Sequence, residues 1–433
     1  MKRIKWGTCG VWKLTDRDAD KTYLGRFWLP HRGEDSAVEG VMTLDKDGAT
    51  IQLRDLLDGE QLDDATIFAR LQGRCTQATL FNCYGSWTRN GTGEILSSRV
   101  SSTLVAMGCI REDVGGYCCE FRLPGSEKWL NDLCFDLKIG DAQEMHLHFK
   151  AWESFESVLT NGVTLERTYR ASIAGNRSGT ESYEIVRKMI YRLKSASRLN
   201  LDEHWAMMNQ LKRLFEFLIQ HRLFYEGVKI YDVSPITSYE PDIKIHHIEP
   251  NSNDQKRLNR HEFLIYSHEV EGKVNALINR WMELMAEHPA PLQHYFHAFD
   301  RQRKDRVLHF VWNVAALEEL HKMRFGRKKL DLIDRLKAMR DRWAGAFHRM
   351  PSDDVLRHIK DSRHYHAHAA ADLRAKAAKG WLLFRYGDFL MALSNLEILS
   401  RLGLKEQEAI SLTRHNLWMR EALNLTTYPG ADD

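Results

Sequence analysis

Residues 270–286 read VEGKVNALINRWMELMA, and at this stretch the hydrophobic pattern of the chain changes from alternation to helical spacing. Val274, Ile278, Trp281 and Met285 follow one another at intervals of three or four residues, which places them on one face of an amphipathic helix. The same spacing recurs in later segments, at 306–324, 330–347, 380–402 and 405–423. About four or five such helices joined by short loops predict a helical bundle in this part of the chain.

The part of the chain before this stretch contains short alternating runs, which are typical of β-strands. Strands are predicted at 23–29, 38–44, 50–53, 78–84, 100–107, 117–123, 133–139, 145–149, 163–169, 223–231, 243–247 and 263–266, with one helix at 202–218. Because most strands follow one another without long helices between them, we expect an antiparallel sheet or sandwich. The predicted fold class is therefore α+β multidomain, with a β-rich antiparallel domain over residues 1–268 and an all-α helical bundle over 269–433.

Composition describes a folded, multidomain protein. Hydrophobic residues make up 43% and charged residues 28% of 433 positions, and no apolar run reaches the roughly 20 residues that a membrane helix needs. Residues 1–6 (MKRIKW) have no apolar run behind them, so we expect no signal peptide, no membrane partner and a cytoplasmic location. The seven cysteines contain no C-x-x-C pair, and we expect reduced, mostly buried thiols rather than a zinc site.

Positive charge is concentrated in residues 301–350, although the whole chain carries a net charge of only +3. This stretch contains 14 Lys and Arg residues against 6 Asp and Glu residues, a surplus that would attract a polyanion such as RNA. The candidate RNA-binding residues are Arg324, Arg327, Lys328 and Lys329. A solvated helix face with no ligand is the alternative interpretation of the same charges.

Within the predicted bundle lies Asp361-Ser362-Arg363-His364-Tyr365-His366-Ala367-His368. Composition alone predicts about two cases of Arg followed five positions later by His, and the chain has two, Arg363/His368 and Arg26/His31. The second pair falls in a strand and turn, and we treat it as coincidence. The first pair lies in the helical part, after a basic stretch and after Ser352, a predicted helix N-cap.

This segment resembles the R-x4-H motif of HEPN ribonucleases, and most closely that of the ApeA-like antiviral proteins. The resemblance extends to Ala316-Leu317-Glu318 in the preceding helix and, at the front of the chain, to 25–30 (GRFWLP) and 38–44 (VEGVMTL). It implies an HEPN ribonuclease domain that acts in anti-phage defence by abortive infection, and a β-rich sensor or regulatory domain that responds to a phage-derived trigger. His364 stands where the family commonly has Asn, which could retune the site. A second register, Arg357 with His364, also fits the looser signature.

The chemistry of these residue types suits RNA cleavage without a metal or another cofactor. RNA carries its own nucleophile, the 2′-hydroxyl; His368 would transfer protons, Arg363 would bind the charged phosphate, and Glu318 would orient Arg363. The expected products are a 2′,3′-cyclic phosphate and a 5′-hydroxyl, from a tRNA or another cellular RNA. Five residues of a regular helix turn through about 500°, which separates the two side chains by about 140°. Because HEPN relatives pair their motifs across a two-fold interface, we predict a homodimer.

Three alternatives stay open at the level of sequence. The chain could be a non-catalytic HEPN scaffold that binds RNA or a protein through its basic helices. It could be a metal-dependent hydrolase, since His364 and His368 have the i, i+4 spacing of a two-histidine metal site. Finally, His368 could be a partly buried structural histidine, and Arg363 could pair with Glu318 or Asp361 only to hold the bundle together.

Overall fold

A computed structural model of the chain describes residues 21–45, 48–57, 62–73, 77–89, 95–129, 135–139, 145–149, 155–175, 183–232, 243–247, 263–301, 305–326 and 329–425. Over these residues a β-rich region comes first and a helical region follows, which confirms the predicted fold class. The domain boundary near residue 268 stays a prediction.

The β-rich region consists of strands that pair with antiparallel neighbours throughout the described residues. They are β1 (Lys21–Trp28), β2 (Val38–Asp45), β3 (Gly48–Leu53), β4 (Ala65–Leu71), β5 (Gln77–Arg89), β6 (Ile95–Met107), β7 (Gly115–Arg122), β8 (Phe135–Ile139), β9 (Met145–Phe149), β10 (Phe155–Val158), β11 (Thr164–Gly175), β12 (Tyr183–Asn200), β13 (Glu226–Tyr231) and β14 (Ile243–His247).

Six of these strands close into a barrel in the order β6-β3-β2-β1-β4-β5, because β5 also pairs with β6. Its interior is a separate hydrophobic cluster that includes Phe27, Ile51 and Leu80, each with no exposed surface. Gly25 and Gly40 face each other across β1 and β2, and a Cβ on Gly40 would lie 2.6 Å from the carbonyl oxygen of Gln52. Glycine at this position therefore allows the strands to approach closely.

An open sheet continues from the barrel in the order β14-β13-β7-β12-β11-β10, joined through the pairing of β14 with β6. Helix α1 (Leu201–Ile219) follows β12 directly, which confirms the helix predicted at 202–218. It begins with a capping box formed by Asn200 and Glu203. Its apolar residues, such as Met208 and Leu211, belong to one hydrophobic core that runs from β7 and β12 into the helical region. The β-rich and helical regions therefore share buried apolar surface.

The helical region places eight helices within the described residues, more than the four or five that were expected. They are α2 (Val274–Glu287), α3 (Pro289–Arg301), α4 (Arg306–Phe325), α5 (Leu332–Arg342), α6 (Asp353–His368), α7 (Gly380–Arg401), α8 (Glu406–His415) and α9 (Leu417–Leu423).

Several predicted elements are wrong or incomplete, for local reasons. Residues 263–266 form no strand, although Phe263, Leu264 and Ile265 are buried in the core. The segment 405–423 is two helices rather than one, because the side chain of Asn416 caps α9 by accepting a hydrogen bond from the amide of Met419 at 2.8 Å. Helix α3 was not predicted, although Pro289 is a favourable first helical residue. Strands β4, β10 and β12 were also missed.

Four cysteines lie in the described residues, and all four are buried free thiols, as expected. Burial raises the pKa of Cys83 and of Cys118 to about 12, so both stay protonated at neutral pH. Cys9, Cys75 and Cys134 fall outside the described residues. None of the helices in the part of the chain that the structure describes is long and apolar enough to cross a bilayer.

Candidate functional site

Helix α6 carries the Arg363–His368 segment and has clear start and stop signals. The hydroxyl of Ser352 accepts a hydrogen bond from the amide of Val355, so the predicted N-cap is confirmed. The helix ends at His368, because Ala369 adopts a left-handed backbone with φ of 52° and donates its amide to the carbonyl of Tyr365. His368 therefore stands at the C-terminal end of the helix, where its side chain is exposed.

Arg363 contacts both other predicted site residues. Its Nη1 lies 2.9 Å from Nε2 of His368, and its Nη2 lies 3.5 Å from Oε2 of Glu318 on α4. The side chains of Arg363 and Glu318 are 27% and 22% exposed, so the cluster is open to solvent on one side. The remaining N–H groups of the guanidinium have no hydrogen-bond partner among the described residues.

The contact with Arg363 is compatible with a hydrogen bond to one tautomer of His368. A guanidinium has hydrogen-bond donors and no acceptor, so Nε2 of His368 must accept the bond with its lone pair. A hydrogen bond between these two atoms therefore uses the neutral tautomer of the imidazole, with its proton on Nδ1. A neutral imidazole is the form that a general base needs.

The separation of about 140° between the two side chains does not prevent this contact. Their Cα–Cβ directions do diverge along the helix, but the long side chain of Arg363 reaches around the last turn to the terminal residue His368. Glu318 lies close enough to pair with the same guanidinium. The three residues thus form one cluster within a single chain.

The second register is not favoured by the contacts. Arg357 pairs with Asp354, one turn earlier on the exposed face of α6. The ring of His364 lies beside that of His368, with 5.8 Å between the centroids, so His364 belongs to the neighbourhood of the Arg363–His368 pair. No group of three or more His, Cys, Asp or Glu residues with metal-binding geometry occurs in the described part of the chain, so these two histidines gain no third ligand there.

The loop after α6 is fixed to the helix by contacts that the sequence did not reveal. The hydroxyl of Ser362, which has no exposed surface, donates to the carbonyl of His358 at 2.7 Å and accepts the amide of Ala378 at 2.9 Å. His366 lies with Nε2 2.9 Å from the carbonyl oxygen of Ala378. These bonds hold the residues on either side of Arg363 against the start of α7, and no spacing rule predicts them.

The predicted RNA-binding residues are described in part. Arg324 and Lys329 are exposed, and Arg324 lies on α4 six residues after Glu318, which corresponds to about 9 Å along the helix axis. Arg327 and Lys328 lie outside the described residues. Nearby, His321 is buried and its Nδ1 is 3.4 Å from Nη1 of Arg335; burial, with the adjacent guanidinium, lowers the pKa of His321. This histidine is therefore neutral and structural.

Comparison with known families assigns a family to the first part of the chain. Residues 22–281 match the family model described as ApeA N-terminal domain 1, which covers the barrel, the open sheet, α1 and most of α2. No curated protein and no solved structure matched the chain in the corresponding searches.

Proposed function

Since the chain belongs to the family defined by ApeA N-terminal domain 1, we propose that it is an anti-phage defence protein that cleaves RNA. The proposed activity is that of a metal-independent HEPN endoribonuclease, and its site is Arg363, His368, His364 and Glu318. One observation carries the proposal. Nε2 of the exposed residue His368 lies 2.9 Å from Nη1 of Arg363, whose guanidinium has further N–H groups without a partner among the described residues.

The proposed reaction uses the sugar of the substrate as the nucleophile. Neutral His368 takes the proton of the 2′-hydroxyl, and O2′ attacks the adjacent phosphorus. Arg363 binds the phosphate oxygens as negative charge builds up on them, and its Nη1 leaves His368 because the lone pair on Nε2 is needed for the 2′ proton. The bond from phosphorus to the 5′ oxygen breaks, and that oxygen receives a proton. The products are a 2′,3′-cyclic phosphate and a 5′-hydroxyl.

Each chain supplies one Arg363–His368 pair, whereas this reaction needs both a base and an acid. A second copy of the chain would bring a second His368 to the same cleft, so that one imidazole acts as base and the other, once protonated, as acid. The proposal therefore includes a homodimer. Mixing wild-type subunits with an excess of His368→Ala subunits tests it, since a cleft that needs both imidazoles predicts inactive heterodimers and an activity that falls more steeply than the fraction of wild-type subunits.

The decisive experiment incubates the purified chain with total cellular RNA, with and without EDTA, and determines the chemistry of the new ends. Cleavage that survives EDTA and leaves cyclic phosphates is expected. His368→Ala should abolish it, whereas His348→Ala, which alters another exposed histidine, should not.

Other outcomes identify the alternative functions. RNA binding without cleavage under any condition would indicate a non-catalytic scaffold. Activity lost with EDTA would indicate a metal-dependent hydrolase that uses His364 and His368. Either result would reject the metal-independent nuclease.

A further inference from the structure

An exposed tryptophan stands at the beginning of α7, close to the proposed site. Trp381 is 64% exposed, the largest exposed fraction among the large aromatic residues that the structure describes. Its ring packs on Phe384, with 5.2 Å between centroids and an angle of 31° between the planes. One face of the indole is therefore supported by protein, while much of the side chain is open to solvent.

The ring beneath Trp381 packs in turn on a buried side chain. Phe384 packs on His309, with centroids 5.8 Å apart, and His309 has no exposed surface. Nδ1 of His309 is 3.0 Å from the carbonyl oxygen of Ala298, and Nε2 is 3.3 Å from Asp388. A column of three rings thus leads from the core to the surface. The base of this column is held from two sides.

The loop that leads into Trp381 is positively charged. The α6–α7 loop, residues 369–379, contains Arg374, Lys376 and Lys379, all exposed, and only one acidic residue, Asp372. No carboxylate of the described residues forms an ion pair with any of the three cations. Exposed, unpaired cations beside an aromatic ring are the combination that binds single-stranded nucleic acid, since the cations contact phosphates and the ring stacks on a base.

The loop also connects this surface to the proposed cleavage site. The backbone of Ala378 is hydrogen-bonded to the side chains of Ser362 and His366, which lie on α6 on either side of Arg363 in sequence. Trp381 follows Ala378 by three residues, so their Cα atoms are at most about 11 Å apart. A strand of a few nucleotides can therefore reach from the ring to Arg363 and His368.

We propose that Trp381 and the cations of the α6–α7 loop bind single-stranded RNA, with an unpaired base stacked on Trp381 a few nucleotides away from the scissile phosphate. This inference rests on the proposed function, because it assigns the substrate class of the same site. A duplex cannot satisfy the arrangement, since its bases are already stacked on one another and present no free face to the indole.

The test measures binding by fluorescence anisotropy with the full chain and a fluorescein-labelled RNA of about 20 nucleotides without self-complementarity, either single-stranded or annealed to its complement. The probe is 2′-O-methylated, so it lacks the nucleophile and stays intact. Trp381→Ala should raise the Kd for the single strand by about 5- to 100-fold, and Trp381→Phe should restore most of the affinity. Tyr84→Ala, which removes an exposed aromatic side chain from β5, is the matched control and should change nothing.

The salt dependence of binding tests the cations separately. Lys376→Gln and Lys379→Gln should each lower the slope of log K against log salt by about 0.7, as expected for one phosphate contact to a single strand. Lys244→Gln, which alters an exposed lysine of β14, should leave the slope unchanged.

Failure of this inference differs from failure of the proposed function. If the wild type cleaves unmodified RNA and Trp381→Ala cleaves it with the same KM, the inference is wrong and the nuclease stands; the exposed ring would then suit a protein partner. If single strand and duplex bind equally in both proteins, the inference is also wrong. Binding through Trp381 without cleavage would support the inference and reject the nuclease, and no RNA binding by the wild type would reject both.

Discussion

Arg213 on α1 and Asp300 on α3 form a two-point ion pair, with Nη1 3.2 Å from Oδ1 and Nη2 2.9 Å from Oδ2. Nη1 of Arg213 also donates to Glu216, whose side chain is 1% exposed. The pair joins the helix that packs on the sheet to the helical region, beside the hydrogen bond from the indole of Trp281 to the carbonyl of Gln210. Polar contacts therefore reinforce the shared hydrophobic core between the two regions.

Replacing Arg213 should destabilise the fold strongly. Arg213→Ala leaves the carboxylate of Glu216 buried without its main partner, and breaking a buried ion pair in this way costs about 3–5 kcal/mol. The change is measured as a lower urea midpoint in equilibrium unfolding. Arg54→Ala breaks the exposed pair with Glu39 and should shift the free energy of unfolding by less than about 0.5 kcal/mol. If Arg213→Ala and Arg54→Ala lowered the free energy of unfolding equally, the stabilising role of the Arg213 ion pairs would be contradicted.

Glu318 should matter for cleavage and its neighbour Glu319 should not. Glu318→Gln removes the charge that holds Arg363, and a misplaced guanidinium should lower kcat/KM by about 10- to 100-fold. Glu319 pairs instead with Lys322, so Glu319→Gln should leave kcat/KM within about twofold. Both variants are compared by single-turnover cleavage of one labelled RNA. An unchanged rate in Glu318→Gln would remove Glu318 from the site.

The pH dependence of stability should reveal His204. This histidine has no exposed surface, its Nε2 is 3.0 Å from the carbonyl oxygen of Gly116, and burial lowers its pKa below the usual 6.5. At a pH between the lowered pKa of the folded state and the ordinary pKa of 6.5, the unfolded chain binds a proton that the folded chain does not. The contribution of His204 to stability is therefore full above pH 6.5 and is lost as the pH falls through its folded pKa.

Urea unfolding between pH 7.5 and 5.5 checks this prediction. His204→Gln should lose less stability over this range than the wild type does, because the titrating group is gone. His348→Gln, at an exposed position, should follow the wild type. A slope in His204→Gln equal to that of the wild type would show that His204 is not the responsible group.

Gly387 should not tolerate a side chain. A Cβ at this position on α7 would overlap the ring of His309, which is buried and held by Ala298 and Asp388. Overpacking of this kind costs about 1–3 kcal/mol, which outweighs the roughly 1 kcal/mol that alanine contributes to a helix. Gly345→Ala is the control and should cost less, since its Cβ would lie 3.1 Å from a side-chain methyl group of Ile410 rather than 2.4 Å from a ring atom. Calorimetric melting temperatures compare the two, and an equally stable Gly387→Ala protein would contradict the packing.

Local patterns determined much of the fold. The alternation of apolar residues in strands and their spacing in helices reflect which face of each element is buried. These patterns therefore predicted most strands, α1 and the change to helices near residue 270. Ser352 and the Arg363–His368 segment were also identifiable, because caps and short motifs depend on neighbouring residues. The strand β12 was missed although it is 18 residues long, since its charged residues obscure the alternation and its partners β11 and β7 are distant in sequence.

Only the tertiary structure decided how the candidate site is assembled. Three contacts join segments that no repeating pattern in the sequence relates to one another. They are the closure of the barrel through β5 and β6, the approach of Glu318 to Arg363, and the hydrogen bonds of Ala378 with Ser362 and His366. The exposure of Trp381 was equally hidden, because an aromatic residue at the start of an apolar helix is normally a core residue. Burial and contact depend on what the rest of the chain packs against each residue, and the sequence specifies this only through the complete fold.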